Sequence, residues 1–158
     1  MISAGLLMFR RKQDGLEVLL VHPGGPFFRK KDDGHWTIPK GEAAELEDLR
    51  TRAQIEFEEE LGFTPGKDWI ELGGVKQKGG KTVHAWAFAG DLATDFKLTS
   101  NTFEMEWPPK SGRTQQFPEI DEAKFFPLAL ARSKINQAQA VFLDRLLDAL
   151  VRGGGQNA

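Results

Sequence analysis

The sequence of 158 residues contains no cysteine, only three histidines and no long hydrophobic run. The absence of cysteine excludes disulfide bonds, thiolate catalysis and cysteine-bound zinc. The histidines, His22, His35 and His84, lie far apart along the chain. No segment approaches the roughly 20 apolar residues of a membrane helix, and the first ten residues resemble a strand more than a secretory signal. These absences predict a cytoplasmic globular protein.

The chain also lacks a strong net charge, since its formal value is -2. Such a chain has no overall attraction for nucleic acid or for an anionic membrane, so we expect neither as a partner. An anionic substrate must instead be held by a metal ion or by a local basic cluster. The sequence contains no indication of oligomeric state.

The spacing of apolar residues predicts an α/β fold in which helices cover a mixed β-sheet. A helix is predicted from Asp48 to Leu61 and ends at Gly62, and Asn136 is the expected N-cap of a second, C-terminal helix. We expect one domain over residues 1–151 and a disordered tail over residues 152–158. The predicted strands are residues 3–9, 17–22, 35–41, 69–75, 82–89, 96–98, 103–107 and 123–126.

Residues 41–63 contain eight carboxylates, which repel one another unless a cation or solvent offsets their charge. Glu56, Glu59 and Glu60 follow i, i+3, i+4 spacing, so they share one face of the predicted helix. An apolar stripe beside them, Leu49, Ala53, Phe57 and Leu61, can anchor the helix in the core. Convergent carboxylates suit a hard cation such as Mg²⁺ or Mn²⁺. The alternative interpretation is a solvated acidic helix face balanced by nearby arginines and lysines.

The same segment resembles the Nudix box: Gly, five residues, Glu, seven residues, then Arg-Glu-hydrophobic-x-Glu-Glu-x-Gly-hydrophobic. Eight of its nine specified positions are present: Gly41, Glu47, Glu56, Phe57, Glu59, Glu60, Gly62 and Phe63. Segments such as SAGLLMF, HWTIPKGE and FPEIDEAKFF also resemble a bacterial subgroup of predicted Nudix NTP pyrophosphohydrolases. The chain is therefore identified as a member of the Nudix hydrolase family.

The resemblance implies an α/β/α sandwich that uses water to cleave a nucleoside diphosphate linked to another group. It implies that the Gly41 carbonyl, Glu56, Glu59 and Glu60 bind the metal. The general base varies within the family, and we favour Glu59, with Glu56 as the second catalytic candidate. Carboxylates outside the box are further candidates for this role: Glu104, Glu106, Glu119, Asp121 and Glu122.

Ile55 stands where the box has arginine, a residue thought to orient the box glutamates. Isoleucine cannot form charge-assisted hydrogen bonds. One hypothesis is that Arg52, one turn before Glu56, takes over part of this role. The competing hypothesis is weak or absent catalysis.

Substrate contacts are predicted at Lys40, which directly precedes the box, and at Lys110 and Arg113 in a downstream loop. The PKG form around Lys40 resembles family members that act on dinucleoside polyphosphates. Trp36 and Trp107 either stack on a base or belong to the core. The segment 75–82, VKQKGGKT, resembles a phosphate-binding loop but lacks its first glycine, so it is interpreted as a hairpin turn.

The leading hypothesis is a Mg²⁺- or Mn²⁺-dependent pyrophosphohydrolase whose substrate is of nucleotide type. Dinucleoside polyphosphates of the Ap4A type come first among the substrates, followed by nucleoside triphosphates and ADP-ribose. The alternative is a nucleotide-binding sensor with little turnover, because Ile55 replaces the arginine. A third hypothesis is an acidic protein-interaction domain without a metal.

Overall fold

The structure, a computed structural model, describes the backbone of residues 1–156 and the side chains of residues 1–153. Its strands are β1 (Ile2–Lys12), β2 (Gly15–Pro23), β3 (Lys40–Glu42), β4 (Ile70–Lys76), β5 (Thr82–Ala89), β6 (Thr102–Glu106), β7 (Thr114–Pro118) and β8 (Ile120–Pro127). Its helices are α1 (Leu49–Leu61), α2 (Leu128–Lys134) and α3 (Val141–Gln156). None of the helices in the described part is long and apolar enough to cross a membrane.

A six-stranded mixed sheet forms the centre of the molecule, in the order β4-β5-β1-β2-β8 with β3 paired to β1. β1 and β5 are parallel, and the other pairs in this sheet are antiparallel. β6 and β7 form a separate two-stranded hairpin. The predicted mixed sheet is confirmed.

The central strands are apolar on both faces because helices cover both sides of the sheet. Leu6 and Met8 of β1 pack with Phe57 of α1, whereas Leu7 and Phe9 pack on the other side with Phe142 of α3. β1 is therefore a continuous buried run from Ser3 to Phe9. These two core layers define the α/β/α sandwich.

β1 and β2 separate at one end of the sheet, and residues 37–42 fill the gap. Thr37 exchanges two backbone hydrogen bonds with Val21 of β2, at 2.8 and 2.9 Å. On the other side, Leu6 N donates to Pro39 O at 3.1 Å, and β3 then pairs with residues 3–5 of β1. This insertion fixes the position of Lys40 and Gly41 at the open end of the sheet.

Several predicted boundaries differ from the structure. The regular strand near the box is residues 40–42, not a strand over 35–41 that ends at Gly41, because Trp36 and Thr37 form only isolated bridges. Residues 96–98 form no strand, and β7 and the two-turn helix α2 were not predicted.

The C-terminal helix also differs from its prediction. Asn136 Oδ1 accepts from Ala138 N at 3.0 Å, but this cap belongs to a short 3₁₀ turn, Gln137–Gln139, before α3. α3 continues to Gln156, so residues 152–156 are helical where a disordered tail was predicted. A helix can contain glycine, although each glycine costs about 1 kcal/mol relative to alanine. The remaining predicted tail, residues 157–158, lies outside the described residues.

Candidate active site

Helix α1 carries the box glutamates and is fixed at both ends. Asp48 caps its N-terminus, with Oδ2 accepting from Thr51 N at 3.0 Å. Gly62 ends it in the left-handed conformation, φ 80°, which glycine adopts without steric cost. Ala53, Phe57 and Leu61 are buried under the sheet, as predicted. The glutamate face therefore has a fixed position over β3.

Gly41 lies directly against the carboxylate of Glu56. A Cβ atom at Gly41 would overlap both carboxylate oxygens and the Cδ of Glu56, so a larger residue here would displace this carboxylate. This contact brings a backbone strand and a helix carboxylate together. Glycine at position 41 therefore leaves the Glu56 carboxylate free to lie against the strand.

Glu60 is the buried carboxylate of the site, with 7% of its surface exposed. Its Oε2 is buried and has no hydrogen-bond partner. Burial, followed by the charge of Glu56, raises the pKa of Glu60 well above its usual value, while Lys40 acts in the opposite direction. A buried oxygen without a partner costs about 1–3 kcal/mol, so this position favours a cation or a proton.

Glu56 has a raised pKa because it is partly buried, although its hydrogen bond from Arg52 opposes the shift. The charge of Glu59 also contributes to raising it. Glu59 itself is exposed on the same helix face. Glu56, Glu59 and Glu60 are thus electrostatically coupled around one point of α1.

Arg52 holds two of the box carboxylates. Its Nε and Nη2 donate to Glu47 at 2.9 and 2.7 Å, and its Nη1 donates to Glu56 Oε1 at 3.0 Å. The same contacts raise the pKa of Arg52, with the Glu47 hydrogen bond as the largest cause. Ile55, half-buried, takes no part in this network. Arg52 therefore contacts both Glu47 and Glu56, which agrees with the hypothesis that it takes over part of the role of the missing arginine.

Glu119, from the segment before β8, is a carboxylate outside the box whose charge acts on Glu56 and Glu60. Its backbone N donates to Asn101 O at 2.8 Å and its carbonyl accepts from Gly24 N at 2.9 Å. After burial, the main cause, Glu119 is among the charges that raise the pKa of Glu56 and Glu60. Topology alone brings it near α1, since residues 62–118 lie between it and Leu61.

The other candidates outside the box lie elsewhere. Glu104 and Glu106 belong to the hairpin strand β6, and Asp121 contacts His22 at 2.8 Å. Glu122 lines a cleft together with Trp36 and Phe126. Of the five candidates, all in the described part of the chain, Glu119 is the one whose charge contributes visibly to the raised pKa of Glu56 and Glu60.

Lys40 lies beside the glutamates, whereas Lys110 and Arg113 do not. Burial lowers the pKa of Lys40, and the charges of Glu60, Glu42 and Glu56 raise it in part. Lys110 and Arg113 are exposed in the turn between β6 and β7. In the described part of the chain, neither side chain forms a hydrogen bond or ion pair with α1.

The two tryptophans have different environments. Trp36 is 5% exposed and packs edge-to-face on Phe126 at 4.9 Å, so it belongs to the core. Trp107 is only partly buried and contacts Phe27 at 5.8 Å. The segment 75–82 joins β4 to β5 through a short turn, which confirms its interpretation as a hairpin.

The carboxylates do not yet form a complete metal centre. Across residues 1–153, no three histidine, aspartate or glutamate side chains are grouped closely enough to hold an ion as they stand. Arg52 engages Glu56, and Glu60 is directed into the interior. The donor set nevertheless fits a hard divalent cation, because it consists of carboxylates on one helix face, one of which has an unpartnered buried oxygen.

The protein is an α/β/α sandwich. Helix α1 carries Glu56, Glu59 and Glu60 and lies against β3, which contains Gly41. The NUDIX domain model matches residues 1–146. The chain therefore belongs to the NUDIX family, and it is a hydrolase that acts on pyrophosphate bonds. No curated protein sequence matches it significantly.

Solved structures share the fold over nearly the whole chain. A C. elegans Ap4A hydrolase in a binary complex is 22% identical, with a TM-score of 0.68, and the match covers 96% of this chain and 98% of that one. The NUDIX domain of Shewanella oneidensis NrtR, complexed with ADP ribose, is 17% identical with a TM-score of 0.62, covering 95% and 88%. A mutT/nudix family protein from Listeria innocua is 16% identical with a TM-score of 0.62, covering 96% and 94%.

Proposed function

We propose that this hydrolase depends on a divalent cation, Mg²⁺ or Mn²⁺, and cleaves a phosphoanhydride bond in a nucleoside diphosphate linked to another group. The observation that supports this most directly is Glu60, whose buried carboxylate has one oxygen without a partner beside Glu56. Glu56, Glu59, Glu60 and the Gly41 carbonyl are the proposed metal ligands. When bound, the cation would neutralise phosphate charge and acidify a water molecule.

The reaction needs a water oxygen to attack phosphorus while the bridging P–O bond breaks. We assign the acceptance of the water proton to Glu59 first and to Glu56 second. Glu59 is exposed toward solvent, where a substrate can reach it. Arg52 limits the movement of Glu56 through the 3.0 Å hydrogen bond. This contact favours an active hydrolase over a sensor, because Arg52 orients Glu56 although position 55 has no arginine.

Dinucleoside polyphosphates of the Ap4A type are the proposed first substrates, followed by nucleoside triphosphates and ADP-ribose. Lys40 supports a phosphate-rich substrate, since its cation lies beside the glutamates and can contact a phosphate oxygen. Substrate contacts by Lys110 and Arg113 stay a prediction for a substrate that extends to the turn between β6 and β7. The structural similarity to an Ap4A hydrolase agrees with this order and does not decide it.

The test is incubation of the protein with these nucleotides and Mg²⁺, with products separated by chromatography. We expect mononucleotide products, a loss of at least about 100-fold in Glu59→Gln and Glu60→Gln, and little change in Glu58→Gln. Glu58 is the matched control, because it is on the same helix and contacts Gln54 instead of the site. Tight nucleotide binding without products would support the sensor and contradict the catalytic assignment.

A further inference from the structure

A cleft of about 710 Å³ lies on the face of the sheet opposite α1. Its floor contains Trp36 and Phe126, which belong to the core layer beneath α3. Loop residues 29–32 form one wall, and β8 and α2 form the others. Its volume is within the range of small-molecule sites, roughly 300–1,000 Å³. The glutamates of the candidate active site are not among its lining residues.

The loop wall is tied to the rest of the fold by several hydrogen bonds. The ring nitrogens of His22 contact the Lys31 carbonyl oxygen at 2.6 Å and the Asp121 carboxylate at 2.8 Å. Trp36 Nε1 donates to Asp32 at 2.8 Å, and Gly34 N donates to the carbonyl of Ser133 in α2 at 2.9 Å. The basic residues that precede Asp32 are therefore carried by an anchored segment.

The charged residues around this cleft differ in whether they have an ion-pair partner. Two of its carboxylates are already paired: Asp32 accepts from Lys134 at 2.6 Å, and Asp121 contacts His22. Four cations take part in no ion pair within the part of the chain that the structure describes: Arg29, Lys30, Lys31 and Lys124. Glu122 is the lining carboxylate without such a pair. A positive surface thus remains on a chain whose net charge is -2.

We propose that this basic cleft is a second anion site that binds a phosphate-rich small molecule. Arginine and lysine on opposite walls can both contact phosphate oxygens, Arg29 through a planar fork and Lys124 as a point charge. The same chemistry fits the distal phosphates of an extended substrate or a separate phosphorylated metabolite. Trp36 on the cleft floor lies four residues before Lys40, so the chain that joins the two sites spans at most about 14 Å.

The test uses inorganic tripolyphosphate as the probe, with the full-length protein in EDTA, so that no metal or turnover is involved. Calorimetry should detect saturable binding, and Arg29→Gln/Lys30→Gln should weaken it about tenfold or more. The matched control is Arg11→Gln/Lys12→Gln, an exposed Arg-Lys pair at the end of β1 with the same charge change. It should change the affinity less than about twofold. Amide shifts at Gly34 and Trp36 in NMR spectra should locate the bound probe.

Absence of binding, or equal weakening in both double variants, would overturn the proposal. The source of the ligand is separated by kinetics on an active nucleotide substrate. A higher KM in Arg29→Gln/Lys30→Gln, with competitive inhibition by tripolyphosphate, assigns the cleft to the distal substrate phosphates. An unchanged KM with retained probe binding in the wild type assigns it to a separate metabolite. Because the binding assay needs no catalysis, it stands even if the proposed function fails.

Discussion

At the scale of single residues, the exchange of the box arginine for Ile55 is the main chemical question. Ile55 cannot orient the box glutamates. The hydrogen bonds of Arg52 to Glu47 and Glu56 orient at least these two. A guanidinium is suited to this task because it presents several donors in one plane. Position 52 is one turn before Glu56, so the helix itself makes the replacement geometry available.

We predict that Arg52→Ala weakens Mn²⁺ binding about 10- to 100-fold, the usual effect of losing a group that orients a metal ligand. Adding Ile55→Arg in the same chain should restore part of the affinity, because it returns an arginine to the box position. Isothermal titration or the EPR signal of free Mn²⁺ measures both. Arg50→Ala is the control, since Arg50 stacks at 4.5 Å on Trp69. Wild-type affinity in Arg52→Ala would show that Arg52 does not orient the site.

The raised pKa of Glu60 makes the stability of the protein depend on pH. A carboxyl whose pKa is raised in the folded state binds protons more readily there than when unfolded. Its contribution to stability is fully present below the unfolded value of about 4.5 and is lost as pH rises through the folded pKa. The metal-free protein should therefore lose stability as the pH rises from about 4.5 through the folded pKa of Glu60.

Replacing this carboxyl by an amide should remove the loss. We expect Glu60→Gln to raise the Tm of the metal-free protein at pH 8 by about 2–4 °C, equivalent to about 1 kcal/mol. The difference from wild type should vanish near pH 4, where both side chains are neutral. Scanning calorimetry in EDTA across this pH range measures it. A Tm difference that is the same at every pH would mean that charge at Glu60 is not its cause.

At the scale of elements, the loop between β3 and α1 contains one strained residue. Leu46 has φ 65° and is 99% exposed, so it adopts a left-handed backbone without a packing benefit. The left-handed region costs an L-residue roughly 1–2 kcal/mol, and glycine avoids this cost. The extra chain entropy of glycine in the unfolded state offsets about 0.5–1 kcal/mol.

We therefore predict that Leu46→Gly raises the free energy of unfolding by up to about 1 kcal/mol. Ala44→Gly in the same loop is the opposite control, because Ala44 has no left-handed backbone to relieve. It should lower the free energy of unfolding by about 0.5 kcal/mol. Urea unfolding with an unchanged m-value measures both. A loss of stability in both variants would mean that Leu46 is not strained.

The elements also show which features a sequence can predict. α1 was predictable because its apolar period, the Asp48 cap and Gly62 are all local signals. The position of residues 37–42 between β1 and β2 could not be predicted, because it depends on how these two strands diverge in the folded sheet. Helix α2 has only seven residues, too few for a periodic signal. The contribution of Glu119 likewise follows from topology, because nothing in its local sequence distinguishes it from the other acidic candidates.

At the scale of the whole molecule, the fold distributes two kinds of charge to opposite faces of one sheet. The carboxylates of α1 lie on one side, and the basic cleft lies on the other. A net charge near zero conceals this separation, so composition alone would suggest neither site. The concentration of like charges on α1 also makes the stability of the whole chain sensitive to a bound cation.

We predict that a divalent cation raises the Tm of the protein. A ligand that binds only the folded state stabilises it by about 2.7 kcal/mol at 100 times its Kd. For a chain of this size, Mg²⁺ or Mn²⁺ should then raise Tm by about 5–10 °C relative to EDTA. The shift should be kept in Glu58→Gln and lost in Glu60→Gln, and it should shrink as the pH falls and protons compete for Glu56 and Glu60. If millimolar Mg²⁺ and Mn²⁺ leave Tm unchanged, α1 is a solvated acidic face, and the metal-dependent function is wrong.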